Sequence, residues 1–263
     1  MNPFRDLLTG KTPLGTWLMA AAPATAEALG QSGFDFLVVD MEHVPIEMPD
    51  LAHILRAIGC TPAAPVVRLA WNDQLLVKRA MDAGAETVML PFIQTADEAR
   101  AAVSYMRYPP HGLRGVAAVH RGSRYGTLPG YLAAAHKRAF SILQLETPDA
   151  VAALDQIATV EGVDAVFVGP GDLSAAMGHI GNIAHPEVQA LIAHAAGAAR
   201  RAGKPIGIVG PNPDMVRRFL GYGYDFAAVS SDIGLMTGRA GDWLALLRDG
   251  AASGPAIPPQ AAY

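Results

Sequence analysis

The strongest constraint on this chain is a repeated texture. Eight short, nearly continuously apolar runs rich in β-branched residues alternate with longer alanine- and leucine-rich amphipathic stretches. The runs are Gly15–Ala20, Phe34–Asp40, Pro65–Leu69, Thr87–Pro91, Phe140–Glu146, Ala165–Gly169, Pro205–Val209 and Phe226–Ser230. Strands apolar on both faces belong to parallel sheets covered on both sides, and parallel neighbours need a helical crossover between them. The helix candidates are Ala24–Gln31, Pro49–Ile58, Gln74–Ala83, Ala96–Met106, Pro148–Ala158, Pro186–Ala202, Pro213–Leu220 and Ile233–Leu247. They are often opened by Pro, Asp or Thr and closed by Gly. Eight strand–helix units in 263 residues fit a (β/α)8 TIM barrel, which typically needs about 250. A Gly-x-Asp-like turn recurs before strands, as in Ser32-Gly33-Phe34-Asp35, Glu161-Gly162-Val163-Asp164 and Gly221-Tyr222-Gly223-Tyr224-Asp225. This recurrence argues for one barrel domain over residues 1–250, followed by a small, proline-rich and flexible tail over 251–263.

Hydrophobic residues make up 51% of the chain and charged residues 17%, so more surface must be buried than one barrel surface hides, and a homo-oligomer is expected. The net charge of -4 without a Lys/Arg block speaks against nucleic acid or an anionic membrane as partner. The opening MNPFRDLLTGKT has no signal pattern, and the apolar stretch from Leu14 to Leu29 is interrupted by Pro23 and Glu27. A cytoplasmic protein acting on small molecules is expected. The single cysteine, Cys60, has no partner for an internal disulfide. One connection, Tyr108–Lys137, is far longer than the usual link, and long barrel loops commonly shape a site or an interface.

In a parallel barrel the active site lies at the carboxyl ends of the strands. The polar residues placed there are few: Asp40, Glu42 and His43 after the second run, Arg68 in the third, Gln144 and Glu146 in the fifth, and Gly171-Asp172 after the sixth. Two carboxylates, Glu146 and Asp172, at the tops of adjacent strands describe a hard-cation site for Mg, Mn or Co. Each carboxylate could instead cap the helix that follows it. His43 could serve as acid, base or orienting donor, with Asp82 a candidate partner. Arg68 lies in an apolar run and requires an anion beside it, which could be Glu42, Glu146 or a substrate oxygen. The four lysines, Lys11, Lys78, Lys137 and Lys204, are all poorly placed for a Schiff base, which needs an amine at a strand's carboxyl end. A divalent metal with an arginine supplies the charge that an enolate needs instead.

Several motifs in order, GFDFLVVDMEH, PVVRLAWND, MDAGAETVMLPFIQTADEARAAV, RYPPHGLRG, LQLET, EGVDAVFVGPGDLS and MG-x3-N-x2-HPEV, resemble the HpcH/HpaI family of class II, pyruvate-dependent aldolases. Its members include 4-hydroxy-2-oxoheptanedioate and 2-dehydro-3-deoxyglucarate aldolases. The resemblance runs to about Gly250 and implies a phosphoenolpyruvate/pyruvate-domain-like barrel. It implies that Glu146 and Asp172 bind the metal, that Arg68 contacts the pyruvate keto oxygen, and that His43 works with Asp82. Gln144 and the backbone of Gly171 and Asp172 then contact substrate, with Asp40 and Glu42 in support behind them. It further implies a homohexamer whose dimers exchange the last helix, and a lyase of aromatic compound catabolism. Arg114 and Arg121–Tyr125 are candidates to reach an aldehyde or a neighbouring subunit. Two readings from other classes stand beside this one: an acyl-CoA lyase on a related metal-dependent barrel, and a non-catalytic metabolite-binding barrel.

Overall fold

The computed structural model describes residues 2–248. In chain order the elements are α1 (Pro3–Leu7), β1 (Leu14–Leu18), α2 (Pro23–Gln31), β2 (Phe36–Asp40), α3 (Met48–Ile58), β3 (Ala64–Arg68), α4 (Gln74–Asp82), β4 (Thr87–Leu90) and α5 (Ala96–Met106). They continue with a 3-10 turn at Arg121–Ser123, α6 (Tyr131–Arg138), β5 (Phe140–Leu145), α7 (Pro148–Ala152), α8 (Leu154–Ala158), β6 (Ala165–Val168) and α9 (Pro170–Ala176). The last elements are α10 (Pro186–Arg201), β7 (Ile206–Gly210), α11 (Pro213–Tyr222), β8 (Phe226–Ser231) and α12 (Asp232–Arg248). The strands close in sequence order into one barrel, β1 pairing with β8, with every pairing parallel. All eight expected strands are present, with ends shifted by one or two residues. The tail expected over 251–263 lies outside the described residues.

Four differences from the sequence expectation concern short helices. The expected helix Pro148–Ala158 is two helices meeting at Ala153, where φ is -85° and ψ is 0°. Helices α1, α6 and α9 were not expected, and each has eight residues or fewer. Such lengths hold too few turns for an apolar stripe to declare itself. Among the described residues no helix is long and apolar enough to cross a membrane.

The recurring Gly-x-Asp turns have a structural purpose. Asp35, Asp164 and Asp225 each stand just before an even-numbered strand. Each accepts, at 2.9 Å, a backbone N–H at the start of the preceding odd strand, from Leu14, Ser141 and Ile206 respectively. The glycines Gly33, Gly162 and Gly223 that set up these turns adopt φ values of 104°, 95° and 102°, which a residue with a Cβ adopts only under strain. The side-chain carboxylate thereby satisfies a strand-end donor and pins adjacent strands in register at the amino-terminal rim.

Inside the barrel, side chains follow the two-residue period of a strand. Phe36, Val38 and Asp40 face inward on β2, against Ala64, Val66 and Arg68 on β3 in matching register. The lower interior is aromatic. Phe4 from α1 closes it, with its ring 5.3, 5.3 and 5.2 Å from Phe36, Phe140 and Phe226 in edge-to-face contacts. Gly15 and Gly207 leave space beside Phe36 and Phe226, whose rings occupy the volume a Cβ would take. Phe4 is fully buried, so α1 acts as a plug. Phe4→Ala is expected to lower stability by about 3–5 kcal/mol, read from urea denaturation, while the barrel signature in circular dichroism persists.

Candidate active site

The alternation that places aromatics at the base places polar groups at the mouth. One period above Val38 and Val66 come Asp40 and Arg68, which are 0% and 2% exposed. The Arg68 fork donates from Nε and Nη2 to the two oxygens of Asp40 at 3.0 and 2.9 Å. Its third nitrogen, Nη1, lies 3.0 Å from Glu42 Oε2. Beneath the guanidinium the Trp17 ring lies 4.3 Å from Cζ, adding a cation–π contact in a desolvated setting. The principal anion beside Arg68 is therefore Asp40, which was not among those expected, and the expected Glu42 comes second.

On the other side of the mouth, Ile142, Gln144 and Glu146 continue the inward series of β5. Glu146 is 2% exposed. It accepts the Phe92 backbone N–H at 2.9 Å and the Gln144 side-chain amide. The cap reading does not hold for Glu146, because Thr147 caps α7 by accepting from Ala150 N. Asp172 stands in the first turn of α9, on the turn that follows β6. Gly169 opens that turn, and a Cβ there would come within 2.5 Å of Glu146 Oε1 and 2.8 Å of its Cγ. The glycine is required by this close approach.

The electrostatics follow from this crowding. Burial, and then the charges of Asp172 and Glu42, push Glu146 up to about 7, with Arg68 and the Gln144 amide pulling the other way. Burial also raises Glu42, opposed by Arg68 and His43 and aided by Asp40 and Asp172. Glu42, Glu146 and Asp172 thus share one field. Arg68 is already matched by Asp40, and the remaining negative charge is of the kind a divalent cation would offset. The buried Gln144 Oε1 accepts no hydrogen bond from the described residues. The donor set is all oxygen, which fits a hard dication.

His43 lies at the same rim, half-exposed, with its Nε2 3.9 Å from Glu42 Oε2. Asp82 does not join it within the chain. It ends α4, a helix that runs back from the mouth toward the amino-terminal rim. There its Oδ1 receives Arg114 Nη2 at 2.7 Å and lies 3.7 Å from His120 Nε2. Arg114 is buried under the Tyr108 ring at 4.5 Å; Asp82 holds its Nη2, while its Nε and Nη1 meet no acceptor among the described residues. Burial lowers His120 from its ordinary value and pushes Tyr108 up to about 12. Arg121 donates to the carbonyls of Ala83 and Leu55 at 3.1 and 3.2 Å, which ties the long loop to α3 and α4. Sequence reasoning placed Gly169 in the turn at the site but missed its close approach to Glu146, the Phe92 amide and the Trp17 platform. The run Val168-Gly169-Pro170-Gly171 carried the only signal, a glycine directly at a strand end.

A model of the HpcH/HpaI aldolase/citrate lyase family matches residues 14–238. The chain belongs to this family. A 2-dehydro-3,6-dideoxy-6-sulfogluconate aldolase of Pseudomonas putida is 57% identical over 236 residues, 90% of this chain and 92% of that protein. A 5-keto-4-deoxy-D-glucarate aldolase of Salmonella arizonae is 44% identical over 241 residues, 91% of this chain and 93% of that one. The crystal structure of an HpcH/HpaI aldolase/citrate lyase family protein from Burkholderia cenocepacia J2315 matches with a TM-score of 0.91 at 38% identity, over 94% of this chain and 100% of that chain. This HpcH/HpaI member is an aldolase-type lyase, and the acidic mouth of its barrel is the site to test first.

Gly169→Ala is expected to displace the Glu146 carboxylate and break its bond from Phe92. A misplacement of this size costs about a hundredfold in turnover. The check is a kinetic assay run beside thermal melting, with activity falling and the fold retained.

Proposed function

We propose that this aldolase is divalent-metal-dependent and reversibly cleaves 4-hydroxy-2-oxoacids to pyruvate and an aldehyde. The observation that carries the reading is buried Glu146 converging with Asp172 at a barrel mouth that holds a fixed guanidinium and no lysine. Lys11 pairs with Asp35, and Lys204 donates to the Val163 carbonyl, both at the amino-terminal rim. Lys78 lies within α4, and Lys137 near the end of α6. Glu146 and Asp172 would hold the ion, with Mg, Mn or Co as suitable occupants. Bound there, a dication supplies Lewis-acid stabilisation of charge developing on the keto oxygen.

The chain's own groups do the rest. Arg68, fixed by Asp40, presents positive charge toward that oxygen without reorganising. The first free N–H groups of α9, beginning at Gly171 because Pro170 has none, receive the substrate carboxylate, and Gln144 lines the same wall. In cleavage the C4 hydroxyl loses its proton, the C3–C4 bond breaks to release the aldehyde, and C3 of the pyruvate enolate takes up a proton. His43 stands at the open rim as the acid–base candidate for these transfers. The names of the two relatives describe keto acids with a deoxy carbon beside the keto group. That is the pattern a retro-aldol cleavage leaving pyruvate requires, so sugar-acid derivatives are the substrates to try before those of aromatic compound catabolism.

A homohexamer of dimers that exchange α12 completes the reading, in a cytoplasmic enzyme. The support is apolar exposure on α12, where Met236, Trp243, Leu244, Leu246 and Leu247 face outward. Within one chain His43 and Asp82 belong to opposite ends of the barrel, so the partnership implied for them requires two chains.

Pyruvate release from 2-dehydro-3-deoxy sugar acids is expected to stop on chelation and return with Mg, Mn or Co. Glu146→Ala should lower it by about a hundredfold or more, and borohydride with pyruvate should trap no adduct. Release that is indifferent to chelator and to Glu146, or a covalent adduct, would overturn the reading.

A further inference from the structure

A second cluster of ligand-type side chains, sharing no residue with the set at the barrel mouth, lies in the connection between α9 and α10. His179, His185 and Glu187 place one donor atom each within 4.8 Å of one another. The two imidazole rings stack with centroids 3.5 Å apart and planes 17° apart. His179 Nε2 lies 3.1 Å from Glu187 Oε2. Two ligands held at roughly 2.0–2.2 Å from one zinc-like ion, at angles between square and tetrahedral, have their donor atoms roughly 3.0–3.5 Å apart. The His179–Glu187 separation already falls in that interval.

The backbone holds these residues in place. His179 N donates to Ser174 O at 2.7 Å, Asn182 N to His179 O at 2.9 Å, and His185 N to Asn182 O at 3.1 Å. Gly178 and Gly181 take φ values of 80° and 75°, turns that favour glycine. His185 caps α10, and Glu187 lies in its first turn. The hydrogen bond from His179, with the charges of both histidines, lowers Glu187 below its ordinary value. Two imidazoles with one carboxylate suit borderline metals far better than magnesium.

We infer that His179, His185 and Glu187 form a second metal site, specific for a borderline transition dication of the zinc class. The fourth position is left to solvent. The ion takes the place of the hydrogen bond between His179 Nε2 and Glu187 Oε2. It clasps the turn after α9 to the start of α10, and α9 carries Asp172 in its first turn. The inference does not depend on the metal proposed for Glu146 and Asp172.

The test uses the full chain stripped with chelator, as wild type and as the Glu146→Gln/Asp172→Asn double variant. Co2+ is titrated against visible absorption and competed with Zn2+. The double variant is expected to bind one Co2+ per chain with the intense bands of a four-coordinate ion, displaced by Zn2+ and not by Mg2+. Thermal melting should rise on Zn2+ addition. Adding His179→Asn or Glu187→Gln to that background should weaken binding at least about tenfold. His185→Asn retains a good helix cap and should do the same without loss of fold. Two ions in the wild type and one in the double variant support both sites, whereas one in each supports this site alone. No stoichiometric Co2+ in the double variant, or binding unchanged by all three substitutions, overturns the inference.

Discussion

The Arg68–Asp40 pair is the interaction on which the mouth of this barrel depends. Removing two charges from water costs several kcal/mol per ion, and the attraction between them offsets this only with good geometry and further hydrogen bonds. Here the geometry is bidentate, Glu42 approaches the remaining nitrogen, and Trp17 supplies an aromatic face below. Because Asp40 already matches Arg68, the guanidinium offsets only part of the charge gathered at Glu146. The surplus negative charge across the mouth follows from how tightly this one pair is made.

The same strand period that builds the pair builds the rest of the interior. Inward positions run from Phe36 through Val38 to Asp40, from Ala64 through Val66 to Arg68, and from Phe140 through Ile142 to Gln144. Each series begins apolar and ends polar, so the barrel has a dry, plugged floor and an acidic opening. A one-residue slip would turn Asp40 and Arg68 into the helix layer. The aspartates that pin the strand starts, Asp35, Asp164 and Asp225, therefore guard the site from the far end of the barrel.

The strands were legible because each is apolar on both faces, and the rim residues because they interrupt those runs. Glu146, Asp172, Arg68, Asp40, Glu42, Gln144 and His43 all fall at the end of the barrel that the sequence assigns to them. What the sequence hid depends on contacts between distant segments. A backbone amide such as that of Phe92 carries no residue-type signal, and nothing in Gly169 alone announces a carboxylate 2.5 Å from an added Cβ. Helix α1 has five residues and gives no periodicity, although its Phe4 closes the floor. Asp82 illustrates a different limit. Sequence reading supplied a partner for His43 but not its direction along the helix, and α4 carries the residue to the opposite rim.

The disposition of cations separates two ways of stabilising an enolate. A lysine route needs an amine at the mouth, desolvated and with a lowered proton affinity. The mouth instead holds an arginine locked between Asp40 and Glu42, while the lysines lie at the amino-terminal rim or on the helical layer. A fixed charge cannot form a covalent link, but it acts without waiting for a proton to leave and without moving. An acidic cluster beside such a charge would concentrate a hard cation where a keto oxygen would meet both. In the metal-dependent reading proposed for this site, packing sets the division of labour: the chain supplies the guanidinium, and an ion would supply the second positive charge.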